Sequence, residues 1–330
     1  MVDAVAARLL AQGLTGPPSS SVEDVVGRLV GIQAQDLAFA RLAFRPRCSA
    51  DVVASDVDSA LHAGELVWTW AMRGTLHLVL ASDVGWLLGL LGPIFATRGR
   101  PRRLALGLDD ELCERALDAL RKTVADGEPR TRSELAARAG IDARGQAPAH
   151  LVAYAAMRGV LRRVPGREPT FTRLEQPVVR IDEEQALERL ARRYEAGHAS
   201  ASAEDLAAWS GIIPRRARGA LEAIAPERPG DAHVPAVARP HVALLGHFDP
   251  YLLGYASREL VLDPRFATRI QSGGGFIAPA ALVDGRVVGT WRRDGGDDGW
   301  LEPFEPLPSE ALDALARERA DVERFLNDAA

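Results

Sequence analysis

The residues best suited to chemistry in this 330-residue chain lie near its start, in Leu29-Val-Gly-Ile-Gln33-Ala-Gln35-Asp36. Two carboxamides and a carboxylate interrupt an otherwise apolar element there. A carboxamide oxygen accepts hydrogen bonds and carries a dipole without a charge, so a pair of them can orient a water molecule. Asp36 is the competing base, unless it merely caps or turns the chain. Geometry decides whether the amides can act together. On an ideal helix, positions i and i+2 sit about 200° apart, whereas in an extended or kinked segment both side chains share a face. Gly31 would permit such a kink. The plainer reading is a helix end decorated with solvated amides.

Other chemistries are excluded. There is no Gly-x-Ser-x-Gly, His-Glu-x-x-His or Cys-x-x-Cys, and no Gly-x-Gly-x-x-Gly after a strand. Ser272-Gly-Gly-Gly275 lacks the Lys-Ser/Thr of a phosphate-binding loop. Two cysteines, Cys48 and Cys113, rule out a disulfide framework, and the seven histidines are scattered, so no metal site is expected. With 47% hydrophobic and 26% charged residues, the composition is that of a soluble globular protein of two or more modest domains. No window approaches the roughly 18–20 uninterrupted apolar residues of a membrane span. The most apolar stretch, Leu76 to Phe95, is broken by Ser82, Asp83 and Pro93. The N-terminus lacks the basic-then-apolar order of a secretory signal, so a cytoplasmic location is expected.

Of the 40 basic residues only Lys122 is a lysine, a bias that high genomic GC content can produce by itself. A net charge of −5 means that the whole molecule does not attract nucleic acid, and any such contact must come from local patches. Four candidates exist: Arg98, Arg100, Arg102 and Arg103; Arg158, Arg162, Arg163 and Arg167; Arg215, Arg216 and Arg218; and Arg292 with Arg293. A single charge run is usually a solvated face. Four of them, each in or beside a helix-turn-helix-like or hairpin segment, are harder to dismiss.

The positioning elements follow from periodicity. Thr131 or Ser133 can cap a helix carrying Leu135, Ala136 and Ala139, and a second helix runs from about Pro148 to Arg158. Val160–Val164 and Thr170–Thr172 then read as a hairpin around Pro165-Gly166. Helix, turn, helix, hairpin is a winged helix, with the second helix as recognition helix and the hairpin as wing. The segment Ala203 to Ile224 repeats the helical part, with Pro214 opening its second helix. At the front, Val22 to Leu42 offers two helical stretches joined near Gly31. Val52 to His62 adds another, and strand-like Leu66–Met72 and Thr75–Leu80 flank an Arg73-Gly74 turn. Pro226, Pro229, Pro235 and Pro240 mark a linker. Beyond it, alternating segments (241–245, 276–283, 286–293 and 300–304), with Asp284-Gly285 as a hairpin turn, and a last helix, 309–327, predict a small β-barrel-like domain closed by a helix. The expected class is α+β: winged-helix-like units over 1–125, 126–178 and 179–240, then the barrel-like domain over 241–330.

Three blocks together carry a resemblance: Val30-Gly-Ile-Gln33-Ala-Gln35-Asp36, Trp70-Ala-Met-Arg73-Gly-Thr75-Leu-His77, and Leu244-Leu-Gly-His-Phe248-Asp249-Pro-Tyr251. In order and spacing they resemble the signatures of the AlkZ/YcaQ family of bacterial DNA glycosylases, across about residues 20 to 305. The resemblance implies tandem winged helices and a β-barrel forming a C-shaped clamp with a basic channel. It also implies hydrolysis of N-alkylated purines, bulky adducts and interstrand crosslinks included, without metal or cofactor. Gln-x-Gln places the chain in the AlkZ-like branch, which resembles self-resistance enzymes of producers of DNA-alkylating natural products. Pro250 departs from the pattern, where an acidic residue is expected after Phe-Asp.

Amides alone suit that chemistry. An N3- or N7-alkylated purine is cationic and leaves neutral, so no general acid is required. What remains is to place a water and stabilise an oxocarbenium-like sugar. Gln35 is assigned as the main water-orienting residue, Gln33 as its partner, and Asp36 and Asp249 as support, the alternative for Asp249 being a helix cap. Arg73, Thr75 and His77 are candidates to meet phosphate or lesion, unless they are hydrogen-bonded structural residues. Arg162, Arg163, Arg215, Arg216 and Arg218 are the best phosphate contacts. Trp291 could stack on bases beside Arg292 and Arg293, the alternative being a core tryptophan; Trp68, Trp70, Trp86 and Trp209 read as core. The expected partner is double-stranded DNA containing alkylated purines, with no membrane, no obligate protein partner and a monomeric chain near the nucleoid. The rival class is a non-catalytic winged-helix transcription regulator, which would have no use for the glutamine pair.

Overall fold

A computed structural model of the chain describes residues 4–166, 168–179, 181–225 and 240–327. Arg167 and the linker prolines Pro226, Pro229 and Pro235 lie outside the described residues. The fold mixes helices with antiparallel sheets and forms two compact units: Met1–Ala60 with Glu188–Ala330, and Leu61–Leu187.

In the unit Leu61–Leu187, strand Leu66–Trp70 pairs antiparallel with Leu76–Leu80, Trp68 facing Leu78. The connection is a tight turn at Met72–Gly74, where Arg73 (φ 56°) and Gly74 (φ 67°) are both left-handed. The apolar run after it is a helix, Ala81–Arg98, with Val84, Leu87, Leu88, Leu91 and Phe95 buried. Its surroundings hide it on several sides, and so it lacks the one-sided periodicity that marks a surface helix. Asp109 caps the next long helix, Asp110–Thr123, accepting from Leu112 N at 2.7 Å. Of the two cap candidates, Thr131 and Ser133, the helix Arg132–Arg138 uses Thr131, which forms a reciprocal capping box with Glu134. Helix Ala147–Met157 follows, and Leu117, Leu120, Leu135, Leu151, Ala155 and Phe171 share one core. Strands Leu161–Val164 and Thr170–Arg173 form the expected hairpin. It is not free-standing: Trp68 pairs with Arg163 on the outer side of Leu161–Val164, and Arg130–Thr131 pairs with the outer side of Thr170–Arg173.

The other unit is built around four antiparallel strands in sequence order: Val242–Leu245, Ala280–Val283, Arg286–Trp291 and Leu301–Pro303. The barrel-like expectation is corrected here. The sheet is open, since four described strands are too few to close on themselves. It is instead covered on both faces. Ala243, Leu245 and Leu282 pack with Val5 and Leu9 of the N-terminal helix Ala4–Ala11. Leu244 and Ala281, pointing the other way, pack with Leu315 and Val322 of helix Ser309–Asn327. Asp284-Gly285 makes the expected turn with both residues at positive φ. Ser202 and Asp205 box the start of Ala203–Ser210, Gly211 ends it at φ 81°, and Pro214 opens Pro214–Ile224. Helix Glu183–Gly197, with Glu183 and Glu184 in its first turn, precedes them.

Candidate active site

The glutamine pair lies in a short extended bridge between two helices. Ser21 caps the first, Val22–Leu29, by accepting from Asp24 N at 3.1 Å. The helix stops at Val30, which is wholly buried and held at φ 68°. The kink expected at Gly31 is therefore at its neighbour. A β-branched residue in the left-handed region is strained, and such strain persists only where surrounding packing enforces it. The chain then extends through Ile32–Gln33 and reaches Asp36 with φ −127° and ψ 128°. Along this bridge burial alternates: Ile32 and Ala34 are 0% exposed, Gln33 is half-buried and Gln35 is exposed. Extended backbone points successive side chains to opposite faces, so the two amides share the side that the aliphatic pair leaves. The helix-end reading with amides about 200° apart does not hold.

Asp36 begins the second helix, Leu37–Arg41, as its N-cap, its Oδ1 accepting from Ala38 N at 2.8 Å. Helix and third sequence block meet directly. Gly246 follows strand Val242–Leu245, and a Cβ there would lie 2.7 Å from the Cβ of Leu42, so only glycine allows this approach. His247 then packs its ring on Phe39 at 4.1 Å between centroids. Its Nδ1 lies 3.2 Å from the Ile277 carbonyl. Burial pushes the His247 imidazole below its ordinary value, although that carbonyl and the Asp36 carboxylate oppose the shift.

Asp249 has a different setting. It is fully buried and grips Arg47 through two hydrogen bonds, at 2.7 and 2.9 Å, while capping Tyr251 N at 2.9 Å. Arg47 also donates to the carbonyls of Ala43 (2.7 Å) and Gln12 (2.9 Å). Asp249 thus holds the third block to the chain just beyond the first, by its cap and ion pair. Pro250, the departure from the family pattern, occupies the first helical position after that cap, a place where proline's missing N–H costs nothing.

The remaining candidates separate by exposure. In the unit Leu61–Leu187, His77 is 1% exposed, with Nδ1 2.9 Å from Thr75 O, and burial drives its imidazole down to about 3. A neutral, enclosed ring offers phosphate no charge. Thr75 donates its hydroxyl to Met72 O at 3.1 Å, and Arg73 sits half-buried in the turn. Arg163 stacks on Trp68 at 4.0 Å, and burial lowers Arg162. Of the first basic group, Arg103 is buried over Tyr154 and Arg100 is paired with Asp110. In the other unit, Arg215 is exposed, Arg216 half-buried and Arg218 paired with Glu204 at 2.9 Å. Trp291 is buried and donates to Leu245 O, Arg292 donates to Gly299 O, and Arg293 pairs with Glu323. Trp68, Trp86 and Trp209 are buried, and Trp70 packs partly buried against its unit's core.

Three neighbours escaped sequence reasoning: Phe39, Arg47 and His247. Gly-His-Phe-Asp stood in a recognised block, but nothing in it reveals a partner some 200 residues away. Among the described residues no group of three or more His, Cys, Asp or Glu is arranged to hold a metal, and no helix is long and apolar enough to cross a membrane.

A profile of the family described as DNA glycosylase AlkZ-like matches residues 26–325. An interstrand DNA cross-link repair glycosylase of Streptomyces sahachiroi is 28% identical, over 96% of this chain and 94% of its own. The solved structure of Streptomyces sahachiroi DNA glycosylase AlkZ superposes with a TM-score of 0.81 at 27% identity, covering 98% of this chain and 95% of that one.

Proposed function

The chain belongs to the AlkZ-like DNA glycosylase family, and from that premise we propose that it hydrolyses the glycosidic bond of cationic N-alkylpurines, with Gln33 and Gln35 as its catalytic residues. The observation that carries this reading is the extended bridge: Gln33 and Gln35 lie opposite the buried Ile32 and Ala34, between a strained Val30 and a capping Asp36.

Their amide oxygens accept hydrogen bonds from one water and direct their dipoles at the sugar, where positive charge develops. The C1′–N bond breaks with its electron pair passing to the purine, which departs neutral because alkylation had already made it cationic. The water oxygen bonds to C1′, and the surplus proton goes to solvent. No general acid takes part. Because the leaving group is good, placement supplies most of what is left.

The helix-helix-hairpin at residues 131–173 and the helix pair at 203–224 are read as winged-helix elements, with Arg162, Arg215, Arg216 and Arg218 meeting phosphates. The substrate is double-stranded DNA, and the protein acts on it as a monomer in the cytoplasm. Interstrand crosslinks, the substrate in the name of the Streptomyces sahachiroi relative, are included, in repair or in self-resistance to an alkylating natural product.

Purified protein with duplexes containing N7-alkylguanine or a crosslink tests this. Base release is expected, reduced at least tenfold in Gln35→Ala. Equal release by variant and wild type removes the glutamine site. No release from any such duplex by either protein favours a regulator that only binds DNA.

A further inference from the structure

The joint between helix Val22–Leu29 and the glutamine bridge falls on a residue poorly suited to it. Val30 has φ 68° and ψ −31°, outside even the left-handed helical region at about φ 57° and ψ 47°. Its side chain is branched at Cβ and 0% exposed. We infer that Val30 is a positioning residue for base release, its stiff and enclosed side chain locking the joint about which the segment bearing Gln33 and Gln35 would otherwise turn. The inference rests on the glycosylase reading and deepens it.

The chain is held on both sides of this joint. Upstream, Arg193 Nη2 donates to the Gly27 carbonyl at 2.7 Å. Gly197 lies so close to the same helix end that a Cβ on it would collide with the Arg28 carbonyl. The Gly197 carbonyl in turn accepts from the buried Gln12 Nε2 at 3.0 Å. Downstream, Ile32 and Ala34 are enclosed, and the Asp36 cap starts the next helix. Backbone strain of this kind persists only where its surroundings enforce it, and it gathers where geometry serves chemistry. A glycine would take the same φ without strain, and one follows at position 31, yet the chain turns at the valine. Valine adds stiffness, because two branches on Cβ restrict χ1, whereas glycine has the freest backbone of all residues. The lever is long. Gln33 stands three residues beyond Val30, about 10 Å of extended chain, so a swing of about 10° at the joint carries it by about 2 Å. A misplacement of about 1 Å can cost a hundredfold in rate.

The experiment separates stiffness from stability. Val30→Thr keeps the branched shape and loses stability through a buried hydroxyl. Val30→Gly keeps the φ and loses the stiffness. Base release from a duplex containing N7-methylguanine is followed in single turnover over a range of enzyme concentrations, beside wild type and Gln35→Ala, with urea midpoints for each protein. At saturating enzyme the rate constant reports folded, bound complexes only. Val30→Thr should keep that rate constant within about threefold despite a lower urea midpoint, whereas Val30→Gly should lose at least about tenfold with its half-saturating concentration unchanged. Val30→Ala should fall between them, and it decides the matter if the glycine variant does not fold. A wild-type rate constant in Val30→Gly and Val30→Ala, or an equal loss in these and Val30→Thr, overturns the positioning role and leaves the glycosylase reading intact. Absence of release by wild type, or equal release by Gln35→Ala, is the separate failure of that reading and takes the positioning role with it.

Discussion

Asp36 and Asp249 do the same local job and live in opposite environments. Each caps a short helix, Leu37–Arg41 in one case and Pro250–Leu253 in the other, by accepting a backbone N–H two residues on. Asp36 is exposed and caps its helix by accepting from Ala38 N at 2.8 Å. Asp249 is enclosed and bound to Arg47 on both oxygens. A cap at the surface competes with water and contributes modestly. A buried carboxylate matched to a buried guanidinium contributes little by existing and a great deal by not being broken, because either partner left alone is a charge in the interior. Identical residue type and identical cap geometry therefore predict very different consequences for the protein. The buried acid secures the architecture, and the exposed one shapes the end of the segment that bears Gln33 and Gln35.

The largest expected effect follows from that contrast. Asp249→Ala should destabilise by about 3–5 kcal/mol, read as a shift in the urea midpoint, because Arg47 keeps its carbonyl partners and loses its counter-charge. Replacing both, as Arg47→Met with Asp249→Leu, should recover much of that loss. A double variant as unstable as the single one would mean that the cap, and not the charge pair, carries the effect.

Next in size is a response to acid, which extends the contrast to buried imidazoles. His198, stacked on Tyr194 at 4.4 Å, and His77 are both held neutral, burial driving each down to about 3. An unfolded histidine titrates near 6.5. Above about pH 7.5 both states are neutral and the pair contributes nothing to pH dependence. Between about 6.5 and 3 the unfolded chain binds protons that the fold refuses, so stability falls as pH falls. The slope is about 1.4 kcal/mol per pH unit for each histidine. Unfolding followed from pH 7.5 to 5 should steepen accordingly, and His77→Gln should remove about one histidine's share of the slope. A slope unchanged by the substitution would place a proton on His77 in the folded state.

How much of this could be read in the sequence depends on how far apart the interacting residues lie. Local signals held: the Thr131 cap, Pro214 opening its helix and the Asp284-Gly285 turn all act within four residues. The glutamine bridge was legible as a choice between two geometries, and the backbone chose the extended one with its kink at Val30. Sheet closure was not legible, because alternation identifies strands without counting those needed to close a barrel. That the helix Ala4–Ala11 covers one face of a sheet beginning at Val242 has no local trace at all. The same is true of Arg47, which is buried against a carboxylate 202 residues away. His77 and Trp291 stood in blocks with chemical potential, and their burial reflects neighbours that periodicity does not name.

The smallest effect is the most informative about mechanism, and it concerns Asp36. If this carboxylate serves the fold through its cap, asparagine should replace it, since Asn caps a helix about as well as Asp. Asp36→Asn is expected to leave stability within about 0.5 kcal/mol and base release within about threefold, whereas Asp36→Ala should cost about 1 kcal/mol. A general base would behave in the opposite way. Asparagine cannot take a proton, so base release would collapse by about a hundredfold or more with stability intact. Since cap strength and proton affinity respond to different atoms of one side chain, the two variants separate the roles without touching either glutamine. A collapse in Asp36→Asn would move the chemistry from the neutral amides to the carboxylate beside them, and the pairing of Gln33 with Gln35 would then serve to hold the sugar and not the water.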